Sequence, residues 1–168
     1  MLLKPMTPEQ LFDSFVTATE AKLRRELTDK EKEQRDKDRG EWLDQLVVNF
    51  GNDEGEEGTF NGTVVQALML MNGEKLNKAV MDQNYGTVAD VLRKRAFSPA
   101  TARAAMSDLY LAALNRPPTP KEYSAIVDNP KMRELPRVAV SNPGIFWTAF
   151  YQDIFWALLN SKEFILNH

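Results

Sequence analysis

Four times along this chain a threonine stands three positions ahead of a glutamine or glutamate at the head of a helical pattern: Thr7-Pro8-Glu9-Gln10, Thr28-Asp29-Lys30-Glu31, Thr63-Val64-Val65-Gln66 and Thr119-Pro120-Lys121-Glu122. In such a box the hydroxyl accepts from a free N–H of the first turn, and the acidic or amide side chain reaches back to the threonine N–H. Proline suits the first helical position because its missing N–H would be unsatisfied there in any case. A chain punctuated this way is committed to helices. Whether each helix has anything to bury depends on the residues beyond its cap.

After Thr7 the apolar residues Leu11, Phe12, Phe15, Val16 and Leu23 recur at helical spacing, predicting a helix over about 8–26. After Thr28 there is no large apolar residue until Trp42, so 29–41 is expected to be a solvated charged helix or arm. Trp42, Leu43, Leu46, Val47 and Phe50 then form one face that stops at Gly51. Four glycines mark 51–62 as a loop, and Thr63 opens a segment to Met71 that is apolar on nearly every side. That segment is expected to be the central helix of the fold.

Shorter patterns occur at about 74–82, with Val80 inward, and from Thr87, with Val88, Val91 and Leu92. From Ser98 to Leu114 the stripe Ala102, Ala105, Met106, Leu109 and Ala113 is narrow and small, suited to close helix packing. Asn115-Arg116-Pro117-Pro118 ends it, and the box at Thr119 opens a helix that stops before Pro130. Residues 130–143 carry three prolines and read as a linker. A final apolar helix over about 144–160 bears Trp147, Phe150, Tyr151, Phe155 and Trp156, and Ser161 caps one last turn. The expected fold is all-α: one domain over 1–168, an irregular bundle of about seven or eight helices packed around 64–71 and 145–159.

Composition narrows the functions open to such a bundle. The chain has 168 residues, a net charge of −3, no cysteine and one histidine. Absence of cysteine excludes disulfides, thiolate zinc sites, a thiol nucleophile and haem attached through Cys-x-x-Cys-His. The acidic balance speaks against nucleic acid, whose binders need a basic face. The clusters Lys22-Leu23-Arg24-Arg25 and Arg93-Lys94-Arg95 sit on helical patterns beside acids and read as solvated faces. The N-terminus lacks the apolar run of about 7–15 residues that a signal peptide needs. The most apolar stretch, 145–159, contains Gln152 and Asp153 and is shorter than the roughly 20 residues of a membrane span.

Few residues offer chemistry. Asn52, Asp53, Glu54, Glu56 and Glu57 are hard oxygen ligands that could hold calcium, but they lack the Asp-x-Asp-x-Asp-Gly order of an EF-hand, so a solvated loop is expected. His168 is the only histidine and the last residue, so it builds neither a zinc site nor, unpinned, a catalytic triad. Arg116 could bind a carboxylate or phosphate with its planar fork; tying its own turn to carbonyls or to an acid on a neighbouring helix is the expectation. Gln66 is expected to satisfy its amide within the core. The aromatic residues of the last helix could stack on sugars or bases, but core packing is expected.

Several strings resemble one family: Phe50-Gly51-Asn52-Asp53, Gln66-Ala67-Leu68 with Met71-Asn72-Gly73, Leu114-Asn115-Arg116-Pro117-Pro118-Thr119-Pro120, and Trp156-Ala157-Leu158-Leu159-Asn160-Ser161-Lys162-Glu163-Phe164-Ile165-Leu166-Asn167-His168. They are similar to the C-terminal domain of unknown function (family fifteen-fifty-three) of planctomycete-type, cytochrome-c-associated multidomain proteins. The resemblance runs from about Leu3 to His168 and covers the C-terminal part of that domain. It implies an exported or cell-envelope setting for a parent protein. No electron-transfer role carries over, because no Cys-x-x-Cys-His is present.

The sequence thus favours a non-catalytic structural or interaction module, with other domains of a parent protein as partners, no cofactor and no resident metal. Two alternatives stand beside it. One is an enzyme fragment that contributes Arg116, Asn167, His168 or the acidic loop to a site completed elsewhere. The other is a carbohydrate-binding surface on the aromatic helix.

Overall fold

A computed structural model describes residues 4–6, 8–19, 28–30, 32–34, 36–37, 40–41, 44, 80–81, 86–95, 99–127 and 143–167. The fold is all-α. In chain order the elements are β1 (Lys4–Pro5), α1 (Pro8–Thr19), α2 (Thr87–Lys94), α3 (Pro99–Leu114), α4 (Pro120–Val127), α5 (Pro143–Leu159), α6 (Lys162–Ile165) and β2 (Leu166–Asn167). Pro8, Pro99 and Pro120 each stand at a first helical position, as the sequence pattern predicts, whereas α2 starts after Gly86 with no side-chain cap. The segment 64–71, expected at the centre, lies outside the described residues, as do Gln66, the acidic loop and the linker at 130–143 up to its last residue.

Among the described residues α3 is the hub: α1, α2, α4, α5 and α6 all pack against it. Its sequence explains why. Ala102, Ala105, Met106 and Leu109 are fully buried and Ala113 nearly so. Three of these five side chains are single methyl groups, which let a neighbouring backbone approach closely, while Met106 and Leu109 fill the space between helices. The partner along most of this stripe is α5, which contributes Trp147, Tyr151, Ile154, Phe155, Leu158 and Leu159 to the same core. Fully burying one large aliphatic or aromatic side chain stabilises a fold by roughly 1.5–3 kcal/mol, so this one interface outweighs any single polar contact among the described residues.

Backbone geometry marks the turns. Gly86, at φ 92°, precedes α2 in a conformation that an L side chain rarely adopts. Asn115 ends α3 at φ 55°, in the left-handed region that asparagine tolerates better than most residues, and its N–H still donates to the Leu111 carbonyl at 3.2 Å. That reversal swings Arg116 away from the axis of α3 and releases Pro117–Thr119 as the link to α4.

Two polar ties fix α2 in place. Thr87 donates its hydroxyl to the Ala18 carbonyl at the end of α1, satisfying an acceptor that the helix leaves free. Arg95 donates from Nε and Nη2 to Asp108 Oδ2 on α3, at 3.0 and 2.8 Å. The chain ends meet in the smallest of antiparallel ladders, Lys4 opposite Asn167 and Pro5 opposite Leu166, extended by the Met6 N–H donating to the Ile165 carbonyl at 3.1 Å. Between 29 and 44 the described residues are helical and exposed, with Lys32–Asp29 and Lys37–Glu33 ion pairs along the surface.

Candidate functional site

The capping box at Thr119 forms in full. The Thr119 hydroxyl accepts from the Glu122 N–H at 3.3 Å, and Glu122 Oε2 accepts from the Thr119 N–H at 2.7 Å and from its hydroxyl at 2.8 Å. This holds the Glu122 carboxylate over the start of α4, directly beside Arg116. On the other side, Ser161 caps α6 by accepting the Phe164 N–H at 3.2 Å, which sets Glu163 in the first turn of that helix. Two unrelated caps thus aim two carboxylates at one guanidinium.

Arg116 meets them both with its planar fork. Nη1 and Nη2 donate to Glu122 Oε2 and Oε1 at 2.9 and 2.8 Å. Nε and Nη2 donate to Glu163 Oε1 and Oε2 at 2.6 and 2.7 Å. Nη1 also donates to the Pro117 carbonyl at 3.1 Å. A guanidinium carries five N–H donors, and these five bonds occupy them all. The Tyr110 ring lies 5.6 Å from the guanidinium carbon, within reach of a cation–π attraction.

That geometry sets the electrostatics. Bonds from Arg116 hold the Glu122 carboxyl down to about 2, with the Thr119 N–H and hydroxyl helping and burial pushing the other way. The Arg116 guanidinium is held further above its ordinary range, first by Glu163 and then by Glu122. Burial, reinforced by the negative charge of Glu122, raises the Tyr110 phenol. One cation against two carboxylates leaves the cluster with a formal charge of −1. The cation has no donor left for an incoming anion, so a substrate carboxylate or phosphate would have to displace one of the chain's own acids.

The other expected site residues are distributed differently. Asn167 lies in β2, opposite Lys4 in the ladder, on the short segment beyond Glu163. His168, Asp53, Glu54, Glu56 and Glu57 lie outside the described residues. Among the described residues no group of three or more His, Cys, Asp or Glu side chains is placed to hold a metal ion. No described helix is long and apolar enough to cross a membrane. Of the basic cluster on α2, Arg93 and Lys94 pair with Asp90, and Arg95 pairs with Asp108.

On α5, Trp147, Tyr151 and Phe155 are buried and Trp156 is half-buried. Phe146, Trp147, Phe150 and Tyr151 pack ring against ring, with centroids 5.3–6.1 Å apart. The exposed row of this helix is Ile145, Ala149, Asp153 and Ala157, flanked by Phe146 and Phe150, which are half-buried against the core. Ile145 is 67% exposed.

Sequence reasoning missed two features. Glu163 gave no sign that it faces Arg116 from 47 positions away; only the Ser161 cap before it hinted at its orientation. The Tyr151 hydroxyl is buried without a hydrogen-bond partner, and nothing in a run of aromatic residues announces that. Set against models of protein families, curated proteins and solved structures, the chain matches none of them.

Proposed function

We propose that this chain is a non-catalytic structural or interaction module of a larger multidomain protein, docking through the outer face of α5. The observation that carries the reading is the exposed row on that helix, where Ile145 stands 67% exposed beside half-buried Phe146 and Phe150. An exposed apolar side chain flanked by half-buried aromatic rings offers a surface that a partner can cover. Arg116 supports the same reading from the other direction. The side chain best suited to bind a reacting anion is spent on internal acids, as a structural tie would be.

The partner this reading names is another domain of the parent protein, in line with the family the sequence resembles. A photo-crosslinking amino acid at Ile145 in the intact gene product tests it. The expected result is a cross-link to another part of the same parent chain that disappears in Ala149→Glu. A chain that sediments as a monomer and gives no cross-link from Ile145 overturns the proposal.

A further inference from the structure

The segments at residues 4–6 and 166–167 meet each other beside one short helix, and Met6 also accepts from the Ser14 hydroxyl at 3.5 Å and packs against the core. β1 pairs with β2, the Met6 N–H is bonded to the Ile165 carbonyl, and β2 continues directly from α6. α6 is four residues long, and what it buries is Phe164 and Ile165. Among the described residues Glu163 ties it to α3's end, gripped by Arg116 in a two-bond fork. The long helices are held by whole faces, such as the five buried positions of α3. Elements with few buried contacts open at lower free energy than the core they rest on.

We propose that α6 and the β2–β1 ladder form a clip that opens and closes as one unit, with the Arg116–Glu163 contact as its latch. Opening breaks the fork, frees the Met6 N–H and lifts Phe164 and Ile165 from their seats on α3 and α5. The N-terminal strand then leaves together with the C-terminal segment, although the two are at opposite ends of the sequence. Glu122 is not part of the moving unit, because Thr119 and the start of α4 keep it in place.

Amide hydrogen exchange on the full chain tests this, with Glu163→Gln as the opening variant and Glu122→Gln as its control. Glu163→Gln should speed exchange at Met6 by roughly ten-fold or more while Leu109 and Phe155 are unchanged, because a charge-assisted fork is lost from the clip alone. Glu122→Gln should leave Met6 within about two-fold of the parent, since the Glu163 fork survives. Exchange that is unchanged at Met6, that rises equally at Leu109, or that rises as much in the control overturns the proposal. Should Glu163→Gln fail to fold, the parent chain in rising denaturant serves instead. Met6 should then open with a shallower denaturant dependence than Leu109, and a common dependence overturns the proposal.

Discussion

Arg116 and Glu163, 47 positions apart, share two parallel charge-assisted bonds of 2.6 and 2.7 Å, while the same guanidinium holds Glu122 with two more. Removing the cation would leave two carboxylates side by side without the guanidinium that both of them grip. Arg116→Met should therefore cost about 1–3 kcal/mol, discounted for a side chain that is still about a third exposed. Arg116→Lys should recover only part of that, because an ammonium cannot serve two forks. Urea denaturation of both variants decides the matter; a loss below about 0.5 kcal/mol in the methionine variant would rank the cluster with ordinary surface pairs.

Glu122 gives the cluster a pH signature. Its folded carboxyl sits near 2 against an ordinary 4.5, so it is the unfolded chain that takes up the proton first as pH falls. The stabilisation is complete above about 4.5 and is lost between there and about 2. With solvent screening of a partly exposed pair, the loss is roughly 1–2 kcal/mol. Stability measured from pH 6 to about pH 2 should fall less steeply in Glu122→Gln than in the parent, and parallel curves would contradict the assignment.

Tyr151 is 1% exposed and its hydroxyl is unpartnered, so burial pushes the phenol up to about 12. Tyr151→Phe removes an uncompensated polar atom from the core and should be neutral or stabilising by up to about 1 kcal/mol. The parent should also lose stability as pH rises from about 10 to about 12, where the unfolded phenol ionises and the folded one does not. Thermal denaturation of the two proteins tests both statements; a clear destabilisation by phenylalanine would mean that the hydroxyl is satisfied.

Thr87 is buried and donates to the Ala18 carbonyl, joining the start of α2 to the end of α1. Thr87→Val keeps the shape and strands that acceptor, for an expected cost of about 1–2 kcal/mol. Thr17→Val, at an exposed hydroxyl bonded within its own helix, is the matched control and should change stability by less than about 0.5 kcal/mol. Equal effects at the two positions would mean that the bond between α1 and α2 contributes nothing of its own.

Ala105 lies at the centre of the α3 stripe with no exposed surface. Ala105→Leu adds three carbons where α3 meets its neighbours and should cost about 1–3 kcal/mol or more through displaced packing. Circular dichroism should still show helix while the unfolding midpoint drops; an unchanged midpoint would mean that the stripe is less tightly packed than its burial indicates.

Much of this fold is legible before any coordinates, because helix starts and apolar stripes are local. Thr119-Pro120-Lys121-Glu122 writes its own cap, and Ala102, Ala105, Met106, Leu109 and Ala113 share a face by spacing alone; both read correctly from the chain. The tie expected of Arg116 was readable in kind, since a fork beside a capping glutamate has an acid within reach. What tertiary structure alone decided is which distant groups meet. Glu163 arrives at Arg116, Thr87 at Ala18 and Asn167 at Lys4 only after α3 has collected the other helices. Backbone propensity and hydrophobic period act over a few residues, whereas a hydrogen bond between residues far apart in sequence depends on the packing of every helix between them.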